Sequence, residues 1–407
     1  MGGFPFHFTA RMWSLSSSVR HIPVLFLLHP LLLLFSSHVA EARTLETEQI
    51  RPLNRSSSSV SAVFVFGDST VDPGNNNYIE TVAKSNFPPY GKDFPNQVPT
   101  GRFTNGRLVT DFLAKYVGIK EYVPPYLDPT LSIEELKSGV SFASAGSGFD
   151  PLTPTISNVV SLSEQLDHFK EYRAKLEAAI GKDKTKELIN NALFLVSAGT
   201  NDFVVNYFTI PIRRYNYTIP SYMNFMLQEA RQLLQALLGE GARRIGVVGL
   251  PPMGCLPVVI TLYSDSPILK RDCISNFSSI GQDYNQMLKN ELNSMQLQIQ
   301  SSGARIAYID IYGPLEAMTS GRKYESRASM IQYWRGIMCF ARVEFEEVST
   351  GCCGTGMLEA SFMCNPKSAV CGDATKYVFW DSIHPTEKSY ELLFQAFRPV
   401  IDALVKN

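Results

Sequence analysis

The sequence predicts an α/β protein built on a parallel sheet covered on both faces by helices. Two observations predict it. Short apolar runs of strand character alternate with longer segments of helical periodicity, and polar motifs of reactive type follow directly after several of those runs, where such folds place their sites. The 407 residues are 45% hydrophobic and 18% charged. That balance supports a sizeable core and excludes a disordered tail, a coiled coil or a collagen-like repeat.

Taken in chain order, residues 1–42 read as an address rather than as structure. Arg11 and Arg20 precede the apolar run 24–35 (VLFLLHPLLLLF), and Ala40-Glu41-Ala42 follows it. A basic start, a short apolar stretch and an A-x-A site make a secretory signal peptide; an uncleaved anchor is the alternative. The run is shorter than the roughly 20 residues of a bilayer span, and no later stretch is long enough. The expectation is therefore an extracellular protein with no stable membrane span. Residues 43–59 are polar and serine-rich, a flexible leader, and 60–407 reads as one domain.

The run 60–66 (VSAVFVF) ends at Gly67 and reads as a buried strand. Similar runs occupy 139–143 (GVSFA), 192–197 (ALFLVS), 244–248 (RIGVV) and 305–311 (RIAYIDI). Helical periodicity covers roughly 161–190, 221–240, 281–300 and 386–404. The stretch 72–106 is dense in Pro, Gly and Asn, too aperiodic for a helix or strand, and is expected to wrap the surface near the strand ends.

With 37 basic and 38 acidic residues the formal charge is −1, without the basic surplus expected of a nucleic-acid partner, so none is expected. Seven cysteines stand at 255, 273, 339, 352, 353, 364 and 371. In an oxidising compartment they read as disulfide partners. The tail set lacks the CxxC pairs of a structural zinc site, adjacent Cys352 and Cys353 should reach different partners, and Cys339 is the candidate spare thiol. N-x-S/T sequons at Asn54, Asn216 and Asn276 suit a secreted glycoprotein.

Each strand end carries candidate chemistry. FGDSTVDPGNNN puts Ser69 just past the first strand, where a serine can serve as nucleophile or as a turn residue. ASAGSGFD, after the second, permits close backbone approach to a ligand. SAGTND, after the third, places Asn201 and Asp202 at the same edge, where an Asn amide can donate to a developing oxyanion. Four of the six histidines precede residue 42, leaving His168 and His384. His168 lies on an amphipathic helix, where a solvated or half-buried histidine is the ordinary outcome. His384 lies in YVFWDSIHPTE, three residues after Asp381, close enough for one turn to join carboxylate and ring and so free the other ring nitrogen to accept a proton.

From about residue 63 to the C-terminus these blocks resemble the plant GDSL-type esterase/lipase family, within the SGNH hydrolases. FGDSTVDPGNNN is similar to its first block, with Thr70 where the name-giving motif has Leu; GVSFASAGSGFD, SAGTND and DSIHPTE are similar to later blocks. PPYGKDFPNQVPTGRFTNGR and GCCGTG also resemble family segments. The resemblance implies a flavodoxin-like three-layer α/β/α sandwich with a central parallel sheet of about five strands. It implies Ser69 as nucleophile, His384 as base and Asp381 as its orienting acid. The oxyanion hole would comprise the Ser69 and Gly148 N–H groups and the Asn201 side chain, Gly146 being the runner-up glycine. No metal or organic cofactor is implied. The substrate would be a small-molecule or lipid ester or an acylated cell-wall polymer. A binding protein without turnover and an acyltransferase are the alternatives. The chain departs from the family pattern at about 319–343, which reads as an insertion or an imperfectly predicted exon junction.

Overall fold

Val63–Gly67 (β1) and Leu193–Ser197 (β2) are buried along their whole length. This is the signature of strands covered on both faces. They pair in parallel, residue for residue from Val63 with Leu193 to Gly67 with Ser197. Arg244–Val248 (β3) and Arg305–Ile309 (β4) continue the parallel sheet in that order. The computed structural model describes residues 60–320 and 345–406, and beyond them only the backbone of Tyr324–Glu325 (β5) and Arg342–Val343 (β6). The proposed signal, the leader, Asn54, Cys339 and most of 319–343 lie outside the described residues. β5 and β6 pair antiparallel, so the chain returns close to where it left.

The expected strand at 139–143 is an edge segment rather than a full strand. Val65 donates to the Val140 carbonyl at 3.2 Å and accepts from Phe142 N–H at 2.8 Å, and Ser144 N–H reaches the Gly67 carbonyl at 3.0 Å. On its other side Ser141 exchanges bonds with Pro124 and Tyr126, so its ladder is shared between two irregular neighbours. Counting this edge, the strands lie in the order 2-1-3-4-5, the flavodoxin-like arrangement, with its switch point beside β1.

Helices cover both faces. Leu162–Ile180 (α2) packs on β1, and Ile219–Gly239 (α4) and Ser275–Ile299 (α5) extend that layer. Glu387–Val405 (α7) packs on β3, β4 and Val109–Tyr116 (α1) in the other. The helix foreseen over 161–190 is two, because Gly181 (φ +88°) ends α2 before Lys182–Asn191 (α3) starts. Ser161 and Glu164 exchange side-chain-to-backbone bonds as a capping box at the start of α2. Phe64 packs its ring 5.3 Å from Phe169 and 5.1 Å from Tyr172 on α2, and Phe66 lies 5.1 Å from Phe142. These aromatic contacts join the first strand, the edge segment and one helix layer in a single core. Tyr312–Thr319 (α6) follows β4, and Glu347–Gly351 (β7) pairs in parallel with Tyr377–Phe379 (β8) beside the main sheet.

Six cysteines form Cys255–Cys273, Cys352–Cys371 and Cys353–Cys364. Cys352 and Cys353 thus reach different partners, and the tail set is taken up in disulfides. The stretch 72–106 is irregular, as expected, yet much of it is buried. Asn75 donates to the Ser141 and Ala143 carbonyls (2.9 and 2.8 Å) and accepts from Leu127 N–H at 3.0 Å. Asn75→Ala should therefore lower stability by about 2 kcal/mol, because the Ala143 carbonyl and Leu127 N–H lose their partner while the Ser141 carbonyl keeps Tyr126. The urea-unfolding midpoint of wild type and variant checks this.

Candidate active site

Gly67 closes β1 at φ +143°, and a Cβ there would lie 1.9 Å from the Ser197 carbonyl oxygen. Only glycine allows the ends of β1 and β2 to approach this closely. The next turn carries Ser69, whose hydroxyl is largely buried within the cleft. Asp68 anchors the turn by accepting from Thr70 N–H (3.0 Å) and Thr70 Oγ1 (2.7 Å), while Thr70 Oγ1 also meets Ser197 Oγ at 3.1 Å. Threonine in place of leucine thus adds a polar tie between the first and third motifs.

From the other end of the chain, β8 leads into Asp381 and His384. The Asp381 Oδ1 accepts from Ile383 N–H (2.9 Å) and His384 N–H (2.8 Å), closing a tight turn. His384 Nδ1 lies 2.8 Å from both carboxylate oxygens, and Nε2 lies 2.8 Å from Ser69 Oγ. Carboxylate, imidazole and hydroxyl form one continuous hydrogen-bonded line. All three side chains are buried: Asp381 is 0%, His384 3% and Ser69 7% exposed. In so dry a site each polar contact carries more weight than it would in water. The Phe103 ring packs 4.9 Å from the imidazole.

The second and third motifs meet beside this line. Asn201 Nδ2 donates to the Ser147 carbonyl at 2.9 Å, against the peptide that carries the Gly148 N–H. Asp202 lies beneath the same loop. It accepts from Phe149 N–H (2.9 Å), Asp150 N–H (3.0 Å) and Thr153 Oγ1 (2.5 Å). A Cβ on Gly148 would stand 2.3 Å from the Asp202 carboxylate, whereas one on Gly146 would meet only ordinary contacts. Gly148 is thus required by the close approach of Asp202, and Gly146 by its backbone at φ +90°. No described residue accepts a hydrogen bond from the Ser69 or Gly148 N–H, so both are available as donors.

Burial pushes the Asp202 carboxyl up to about 7, with the nearby Asp150 charge adding to the rise and its hydrogen bonds opposing it. Burial likewise raises Asp72 to about 6, and raises Asp68 against the lowering effect of its Thr70 bonds. His168 is half-buried on α2 with its ring 5.7 Å from Tyr126, away from the line. Asn216 and Asn276 are exposed. Among the described residues no group of three or more His, Cys, Asp or Glu is placed to hold a metal.

The family model for GDSL-like lipases and acylhydrolases matches residues 63–397. The chain belongs to this family. Two GDSL esterase/lipases of Arabidopsis thaliana are similar to it over most of their length. One is 56% identical over 348 residues, covering 85% of this chain and 88% of the relative. The other is 39% identical over 364 residues, covering 89% and 95%. The crystal structure of a lipase from a goat rumen metagenome, 12% identical, overlays with a TM-score of 0.34 and covers 84% of this chain and 97% of that one; so slight a likeness supports no conclusion beyond itself. Membership of the GDSL family supports an ester hydrolase.

Tyr90, Asp72, Asn75, Asn76 and Gln165 went unread as site-building residues. Asp72 accepts from Gly74, Asn75 and Ala145 N–H, and Asn76 donates to the Ala83 and Ala145 carbonyls. Gln165 both donates to and accepts from the Gly67 backbone. The available signal was the density of Asn and Gly in DPGNNN, which also describes an ordinary surface turn.

Two cavities accompany the site. One of about 290 Å³ borders Gly148 and Phe149 and is walled by Leu162, Leu166 and Leu233, with Glu229 at its side. A larger one, about 660 Å³, is lined by Arg271, Cys273, Tyr312 and Ser349. The smaller adjoins the Gly148 corner, and Ser69, Asn201, Asp381 and His384 line neither cavity.

Asp202 sets a pH dependence. Its carboxyl holds a proton more tightly folded than unfolded, from about 3.8 to about 7, so the native state binds the extra proton in that window. Stability should fall as pH rises through it and level off above, by up to about 4 kcal/mol. Asp202→Asn, which mimics the protonated group, should flatten the upper part of this slope in urea titrations at pH 5, 6, 7 and 8.

Proposed function

We propose that the protein is a secreted serine ester hydrolase in which Ser69, His384 and Asp381 act as nucleophile, base and orienting acid. The observation that carries this reading is the unbroken line from Asp381 through His384 to Ser69 Oγ, with 2.8 Å at each step. His384 Nε2 takes the hydroxyl proton as Ser69 Oγ attacks the ester carbonyl, and Asp381 keeps the imidazole oriented and its Nδ1 protonated. The tetrahedral oxyanion is held by the Ser69 and Gly148 N–H groups and by the Asn201 amide hydrogen not engaged with Ser147. Collapse transfers the proton from His384 to the leaving alcohol and leaves an acyl-Ser69 ester. Water, deprotonated by the same imidazole, then releases the acid.

Removal of residues 1–42 on secretion, glycosylation at Asn54, Asn216 and Asn276, and an ester substrate drawn from lipids or acylated wall polymers complete the reading.

Hydrolysis of p-nitrophenyl esters of graded chain length by the glycosylated protein tests the proposal. Ser69→Ala should abolish turnover, and Asn201→Ala should reduce it roughly 100- to 1000-fold, the scale for one oxyanion donor. Absence of hydrolysis by folded wild type would refute the enzyme reading and favour a binding protein. The rate should rise with pH as His384 loses its proton, because only neutral imidazole can accept the Ser69 proton. A flat profile into strong acid would remove His384 as base.

A further inference from the structure

Tyr90 is 1% exposed, and both hydrogen-bonding capacities of its hydroxyl are used on the reactive line. The O–H donates to Asp381 Oδ2 at 2.8 Å, and the oxygen accepts from Ser361 N–H at 2.8 Å. The ring is clamped edge-on by Phe87, Phe103 and Trp380 at 5.7 to 6.3 Å. Around it, Cys352, Cys353 and Cys364 form part of the same buried cluster. Cys352 and Cys353 N–H groups bond the Phe379 and Trp380 carbonyls, so this cross-linked segment also holds the strand that delivers Asp381. Burial, then the Asp381 charge, hold the phenol well above its ordinary pKa, and it stays a neutral donor.

We propose that Tyr90 is a positioning residue of the site: its hydroxyl, held from behind by Ser361, fixes the Asp381 carboxylate and limits how much of its charge reaches His384. The catalytic consequence rests on the serine hydrolase reading; the electrostatic part does not. A carboxylate that shares its charge with a phenol donor pulls less strongly on the imidazolium proton. Oδ1 is already occupied by two backbone N–H groups, and Tyr90 is the donor on Oδ2 besides the ring itself. The titratable groups facing His384 are Asp381 on its own segment, Asp68 from the turn after β1, Tyr90 from the long loop and, facing both aspartates, Tyr390 on α7. Replacing Tyr90 alters one of them and leaves the rest in place.

The test is the titration of His384, read by imidazole NMR in wild type and Tyr90→Phe, with the steady-state pH profile alongside. Loss of the donor should raise the His384 pKa by roughly half a unit to one unit. The acid limb of kcat/KM should move the same way, and kcat should fall roughly tenfold with KM little changed. In an Asp381→Asn background the same replacement should no longer shift His384. Should Tyr90→Phe fail to fold, difluorotyrosine at position 90 supplies a stronger donor of the same shape and should move the titration down. An unshifted His384 in either folded variant, with only a lower melting temperature, would overturn the proposal and leave Tyr90 a packing residue. If wild type turns over no ester, the hydrolase reading fails while the NMR comparison still decides the role of Tyr90.

Discussion

Ser69 and His384 stand 2.8 Å apart across 315 positions of sequence, and the constraint that joins them is carried by the irregular loop between β1 and α1. Thr104 donates to the Pro385 carbonyl, Asn105 accepts from Glu387 N–H at 2.8 Å, and Arg107 pairs with Glu387. The loop therefore grips the residues immediately after His384 while Phe103 and Tyr90 touch the ring and its carboxylate. Its own root is locked by the buried pair Arg102–Asp111, with contacts of 2.9 and 2.8 Å. A buried ion pair of this kind adds little net stability, but breaking one side leaves an uncompensated charge.

A second constraint acts below the cleft. Asp150 and Asp202 lie side by side without exposed surface, and each is kept by a different set of donors. Asp150 takes the Arg213 guanidinium and the Tyr222 hydroxyl, whereas Asp202 takes two backbone N–H groups and Thr153. The first carboxylate has a cation and the second does not, and burial raises the second. Together they draw the Gly148 loop onto the π-helical turn Asp202–Thr209, an uncommon geometry that gathers at functional sites.

The fold class and the meeting of Ser69, His384 and Asp381 were legible in the sequence because both have local signatures. Buried parallel strands are continuous apolar runs, and Ser69, Asn201, Asp381 and His384 each sit in a short motif next to one. The edge segment 139–143 carries a strand-like composition but shares its hydrogen bonds with 124–126, a long-range circumstance invisible in a window of five residues. The break at Gly181 was hidden because both α2 and α3 keep a helical period on either side of it. Tyr90 was the least legible. A tyrosine after two prolines in a loop carries no sign of burial, and its partner lies 291 positions away.

Disulfide placement extends the same logic. Cys353–Cys364 closes a short loop that contains Ser361, the residue whose N–H holds the Tyr90 oxygen, and Cys352–Cys371 closes the loop around it. Covalent closure restricts the unfolded chain, and here it also limits local opening of the segment packed beside Asp381. The His384 side has no such cross-link and is held by hydrogen bonds to Trp380, Val378, Thr104, Asn105 and Arg107. Local opening of the native state should therefore begin at the His384–Glu387 side rather than at Asp381, because noncovalent loop contacts yield at lower free energy than a cross-linked cluster. The arrangement keeps the carboxylate as the fixed point about which the imidazole is aligned.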